Sequence, residues 1–138
     1  MNTKQRNKAK LAVLSVGDGR GFVVNGQNNS RLVVTGAHCL PSFPPCHGAS
    51  YLEERTYQEL LGPLGKKSTV WAECLFADPI ADIAVLGSPD NQELFDQAEA
   101  YELLVESLTP IAIADVPKKA HTFWEAASKT CVEGKARA

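Results

Sequence analysis

Leu11-Ala12-Val13-Leu14-Ser15-Val16, Gly17-Asp18-Gly19, Arg20-Gly21-Phe22-Val23-Val24-Asn25, Gly26-Gln27-Asn28-Asn29-Ser30, Arg31-Leu32-Val33-Val34-Thr35: three short apolar runs stand between two clusters of turn residues. Their β-branched content and the Gly, Asp and Asn punctuation predict strands over 11–16, 20–25 and 31–35. Strands this short and this close favour an antiparallel barrel or sandwich over βαβ units. After Thr35 the pattern breaks at Gly36-Ala37-His38-Cys39-Leu40, and Pro41, Pro44 and Pro45 make 41–48 an irregular loop.

Further strands are expected over Thr69–Ala77, the longest, and over Ile83–Leu86, which is wholly apolar. Pro110–Ala114 reads as a last barrel strand, and 122–126 as a further one. Residues 51–61 fit helix and strand equally, and 62–67 read as a turn. In 90–106, Leu94, Ala98, Tyr101, Leu104 and Val105 recur at helical spacing. Glu93, Asp96, Glu99, Glu102 and Glu106 form the solvated face of that helix, and the apolar stripe is its docking face. Trp71 and Trp124 read as core or interface aromatics.

A chain of 138 residues suits one domain, and 44% hydrophobic content is enough for a modest core. The net charge of −2 points away from a polyanion, so no nucleic-acid partner is expected. Lys4, Arg6, Lys8 and Lys10 are read as a short solvated tail over 1–10. The apolar run after it, Leu11–Leu14, is too short for an export signal, and no stretch approaches a membrane span. A cytoplasmic location with no membrane association is the expectation. None of Cys39, Cys46, Cys74 and Cys131 forms a CxxC pair, so reduced thiols are expected.

Two segments carry chemistry: Val33-Val34-Thr35-Gly36-Ala37-His38-Cys39 and Ala81-Asp82-Ile83-Ala84-Val85-Leu86. Each sets a titratable residue at the edge of an apolar strand. A carboxylate accepting the imidazole Nδ1–H fixes the tautomer and stabilises the imidazolium. Nε2 is then free to take a proton from a nucleophile. Asp78, ahead of Pro79, rivals Asp82, but only Asp82 directly precedes the Ile-Ala-Val-Leu strand.

These segments resemble the trypsin-like (chymotrypsin-fold) serine proteases, whose histidine motif is Thr-Ala-Ala-His-Cys and whose aspartate motif is close to Asp-Ile-Ala-Leu-Leu. Here they read Thr35-Gly36-Ala37-His38-Cys39 and Asp82-Ile83-Ala84-Val85-Leu86, in the same order. Gly19-Arg20-Gly21-Phe22 is similar to the family's Gly-x-Gly-Phe strand. The resemblance implies a mostly β fold: a six-stranded antiparallel barrel of the trypsin-like type over 11–116. The helix over 90–106 would be its one insertion. Residues 117–138 would be a linker or the start of a second barrel that is missing or truncated. It further implies His38 as general base and then general acid, Asp82 as its orienting partner, and a peptide or protein substrate.

This chain departs from the family in three ways. Gly36 replaces an alanine. Cys39 has no disulfide partner in Arg20–Val24, so a buried free thiol is expected. No Gly-Asp-Ser-Gly-Gly follows Asp82, and none of Ser88, Ser107 and Ser128 stands between glycines, so no nucleophile is assigned in this chain. The resemblance places the serine, the oxyanion donors and the specificity pocket in a second barrel supplied by further sequence. The alternative is a pseudoprotease-like single-barrel module that binds peptide or protein. Cys39, Cys46 and His47 fit no common zinc spacing, and His121 reads as a surface residue, so neither metal nor cofactor is expected.

Overall fold

The computed structural model describes residues 2–45, 52–89 and 92–113. In chain order the elements are α1 (Thr3–Lys10), β1 (Val13–Val16), β2 (Gly19–Asn25), β3 (Arg31–Thr35), α2 (Leu52–Arg55), β4 (Thr56–Pro63), β5 (Val70–Asp78), β6 (Ile83–Gly87) and α3 (Phe95–Glu106). Short 3₁₀ turns lie at Gln27–Asn29, Ala37–Cys39 and Gln92–Leu94. The strands close into a six-stranded antiparallel barrel in the order β1-β2-β3-β6-β5-β4.

Closure leaves no unpaired strand edge, the usual liability of a β-sheet. The closing seam pairs Leu14 with Pro63, Ser15 with Gly62 and Val16 with Leu61. Inward positions fill the lumen: Leu14, Val16, Val23, Val33, Leu61, Ala72, Ala84 and Leu86 are wholly buried. Each Leu or Val contributes about 1.5–3 kcal/mol by leaving water. A bulge lies in β4 between Tyr57 and Leu61, where Glu59 takes a left-handed φ of 50°. A second lies in β5 between Cys74 and Phe76. It breaks the in–out alternation and leaves both Leu75 and Phe76 exposed.

The sixth strand is not the expected one. Pro110–Ala114 does not form a strand over its described part. Ile111 makes a single parallel bridge to Val24, its N–H donating to the Val23 carbonyl at 2.8 Å. β4, from the ambiguous 51–61 stretch and the expected turn after it, takes the sixth place, and its pairing with β1 shuts the ring. The basic start is solvent-exposed as expected but helical, so α1 and α2 join the single helix expected. In α1 the Asn2 side chain accepts from the Gln5 N–H at 2.8 Å, and Gln5 returns the bond to the Asn2 N–H at 3.1 Å. That capping box, with Lys8 and Lys10 in the last turn, stabilises a helix that buries no residue.

The helix expected over 90–106 is α3, and it docks on the barrel through Tyr101, Leu104 and Val105. Asp96, Glu99, Glu102 and Glu106 face solvent. The Tyr101 hydroxyl donates to the Arg31 carbonyl at 2.7 Å, and burial pushes its pKa far up. The Arg31 guanidinium donates to the Val105 and Leu108 carbonyls at 2.8 and 3.0 Å. It thereby supplies a cation to a helix C-terminus that has no basic residue in its own last turn. No helix among the described residues is long and apolar enough to cross a membrane. The 122–126 strand, Trp124 and the reading of 117–138 lie outside the described residues.

Candidate active site

The register of β3 against β6 builds the site. Val33 pairs with Leu86, Val34 with Val85 and Thr35 with Ala84. Carried two residues past Thr35, the same register sets residue 37 opposite Asp82, so His38 and Asp82 meet at one rim. There β3 gives way to the 3₁₀ turn Ala37–Cys39, which turns the His38 ring off the strand end.

The contact is double. His38 Nδ1 lies 2.6 Å from Asp82 Oδ2, and the His38 backbone N–H donates to Asp82 Oδ1 at 2.9 Å. One carboxylate thus grips both ring and backbone, fixing the ring's position and orientation together. Two donations from His38, backbone first and ring second, hold the Asp82 carboxyl below the usual aspartate range. An ionised carboxylate only accepts, so Nδ1 carries a proton, and in the neutral ring Nε2 is the acceptor. The His38 side chain is 73% exposed and that of Asp82 50%, so the rim is open to a partner or substrate.

Asp82 reaches this place through a left-handed backbone, φ 56°, at the last turn residue before β6. Asp tolerates that region better than most residues, and strained backbone concentrates at functional sites. The rival carboxylate has separate work. Asp78 Oδ1 accepts from the Ile80 and Ala81 N–H groups at 2.9 and 3.1 Å, closing the β5–β6 turn that delivers Asp82.

Two glycines shape the site. A Cβ at Gly36 would stand 2.6 Å from His38 Cε1 and 2.7 Å from Nδ1, inside the ring's own volume. A Cβ at Gly19 would stand 2.5 Å from Cys39 Sγ and 3.6 Å from Cys39 Cβ. Gly19 therefore makes room for the thiol. It, rather than Arg20–Val24, is the position facing Cys39 at the separation of a disulfide pair. Cys39 is free, as expected, but half-buried rather than buried. Its Sγ lies 3.6 Å from His38 Nε2.

The sequence gives no sign of this last contact, because neighbours on a helical turn do not ordinarily face each other. Only the short turn and the space over Gly19 bring sulfur to ring. The turn's amides are all engaged: His38 N–H to Asp82, Cys39 N–H to the Gly36 carbonyl at 3.0 Å, Leu40 N–H to the Ala37 carbonyl at 3.2 Å. None is free to hold an oxyanion. Among the described residues no His, Cys, Asp and Glu cluster is arranged to hold a metal ion. Cys46, His47, His121 and Ser128 lie outside the described residues.

Comparison with family models, curated proteins and solved structures finds no match to this chain.

Proposed function

We propose that this barrel is the histidine–aspartate half of a serine-type endopeptidase of the trypsin-like kind, incomplete by itself. One observation carries the reading: a largely exposed rim imidazole gripped by a carboxylate at 2.6 Å through Nδ1, which leaves Nε2 as the nitrogen that can take a proton. In the mechanism this implies, His38 Nε2 takes the proton of a serine hydroxyl as that oxygen attacks the scissile carbonyl. Asp82 stabilises the imidazolium, which then protonates the leaving amine. With the amides of residues 38–40 engaged, the oxyanion donors come from the same second barrel as the serine.

The second reading, a single-barrel module that holds peptides without cutting them, draws on the closed ring, which needs no further strand to complete its pairing. A fluorophosphonate probe applied to the chain together with the coding sequence that follows Ala138 separates the two. Under the first reading a serine beyond residue 138, in Gly-Asp-Ser-Gly-Gly, is labelled. His38→Ala slows that labelling by about a hundredfold or more. An extended protein that has no such motif and takes no label defeats the endopeptidase reading and leaves the binding module.

A further inference from the structure

We infer that Cys39 is a nucleophilic thiol activated by His38 and Asp82, a modification site for small electrophiles contained within this one barrel. The inference rests on the geometry of the three side chains and not on the endopeptidase reading. Asp82 occupies Nδ1 at 2.6 Å, so the basic nitrogen is Nε2, and the group bonded to it is the Cys39 thiol at 3.6 Å. That distance suits an S–H donor, whose bonds are longer than those of O–H. Order along the relay is thiol, imidazole, carboxylate, the sequence that activates a nucleophile by an adjacent, oriented base.

The surroundings agree. Gly19 leaves open the space that sulfur occupies, since any side chain there would collide with Sγ. Cys39 is half-buried rather than enclosed, and the His38 side chain beside it is largely exposed. Cys74 has none of this. It lies buried in the lumen, its thiol donates to the Phe76 carbonyl at 3.4 Å, and burial pushes its pKa up. It serves as the internal unreactive control.

The step is a substitution. With iodoacetamide the Cys39 proton moves to Nε2, a sulfur–carbon bond forms, the carbon–iodine bond breaks and iodide leaves. The proton then passes from the imidazolium to solvent. Because the amides of residues 38–40 are all bonded, no backbone donor on this turn stabilises a tetrahedral oxyanion. The thiol is therefore modified once rather than turning over acyl substrates.

The test is the rate of carbamidomethylation at neutral pH, resolved by peptide mapping so that Cys39 is followed apart from the other cysteines. Wild-type Cys39 reacts on the order of tenfold faster than the thiol of an unstructured peptide spanning the same residues. The gain comes from proton removal by the oriented imidazole as sulfur attacks. His38→Gln, at an exposed side chain, keeps the circular dichroism of the wild type and brings Cys39 to the peptide's rate and pH dependence. Asp82→Asn, which retains the left-handed backbone, gives an intermediate rate. A Cys39 no faster than the peptide, or a rate unchanged by His38→Gln in a folded protein, overturns the inference. Fluorophosphonate labelling of a distant serine reports on the endopeptidase reading alone, so either idea fails without the other.

Discussion

At Gly36 a single hydrogen stands where a methyl group would lie 2.6 Å from His38 Cε1. Gly36 has an extended φ of −73°, so backbone conformation does not demand glycine; the ring does. Gly36→Ala is therefore expected to displace the imidazole while leaving the fold intact. The Nδ1–Oδ2 bond lengthens or breaks, and the downfield Nδ1 proton resonance of an imidazole donating to a carboxylate is lost. The Cys39 rate would fall by about tenfold or more, since misplacement of a base on this scale is felt strongly. An unaltered proton spectrum in the Gly36→Ala variant would show that the ring yields without losing its partner. The two side chains of the pair were legible in the sequence, because each borders an apolar strand. The demand for glycine at 36 and the place of the thiol were not, because both depend on where a ring lands after a 3₁₀ turn.

Among the elements, α3 is fastened by apolar and polar groups together: Tyr101, Leu104 and Val105 are buried. Tyr101 is buried beneath it and donates to the Arg31 carbonyl, while the Arg31 side chain returns two bonds to the helix end. Tyr101→Phe removes the hydroxyl and keeps the ring, and is expected to cost about 1 kcal/mol. Tyr101→Ala also opens a cavity and is expected to cost about 3–5 kcal/mol. Urea unfolding monitored by far-ultraviolet circular dichroism gives both values; equal losses would mean that the ring packs nothing. The acidic face and apolar stripe of this helix were plain from spacing alone. β4 was not: its Tyr57 and Leu61 face the core across a bulge that shifts the register, so strict alternation fails. The run at Pro110 misled in the opposite way. Its composition suits a strand, yet β4 already closes the ring against β1, and Pro110 has no N–H to offer a ladder.

For the molecule as a whole, the closed barrel leaves one part of its outside unusually apolar. Leu75, Phe76, Ile80 and Ile83 are exposed on β5, the following turn and β6, and Ile80 is 96% exposed. Phe76 pairs with Val85 and Asp78 with Ile83, so these residues share one hairpin, the one that carries Asp82. Exposed apolar groups on one hairpin favour association with another apolar surface. The isolated chain is expected to self-associate with rising concentration in sedimentation velocity. Changing Phe76→Ser and Ile80→Ser together should weaken that association by at least about tenfold, equivalent to about 1.4 kcal/mol. The thermal midpoint should hardly move, because neither side chain is part of the core. The protein extended past Ala138 provides the contrast. If a second barrel covers the hairpin, that protein stays monomeric and the same two changes loosen its domains instead. An isolated chain that remains monomeric at high concentration would mean the hairpin is tolerated in water as it stands, which favours a self-sufficient barrel over half of an enzyme.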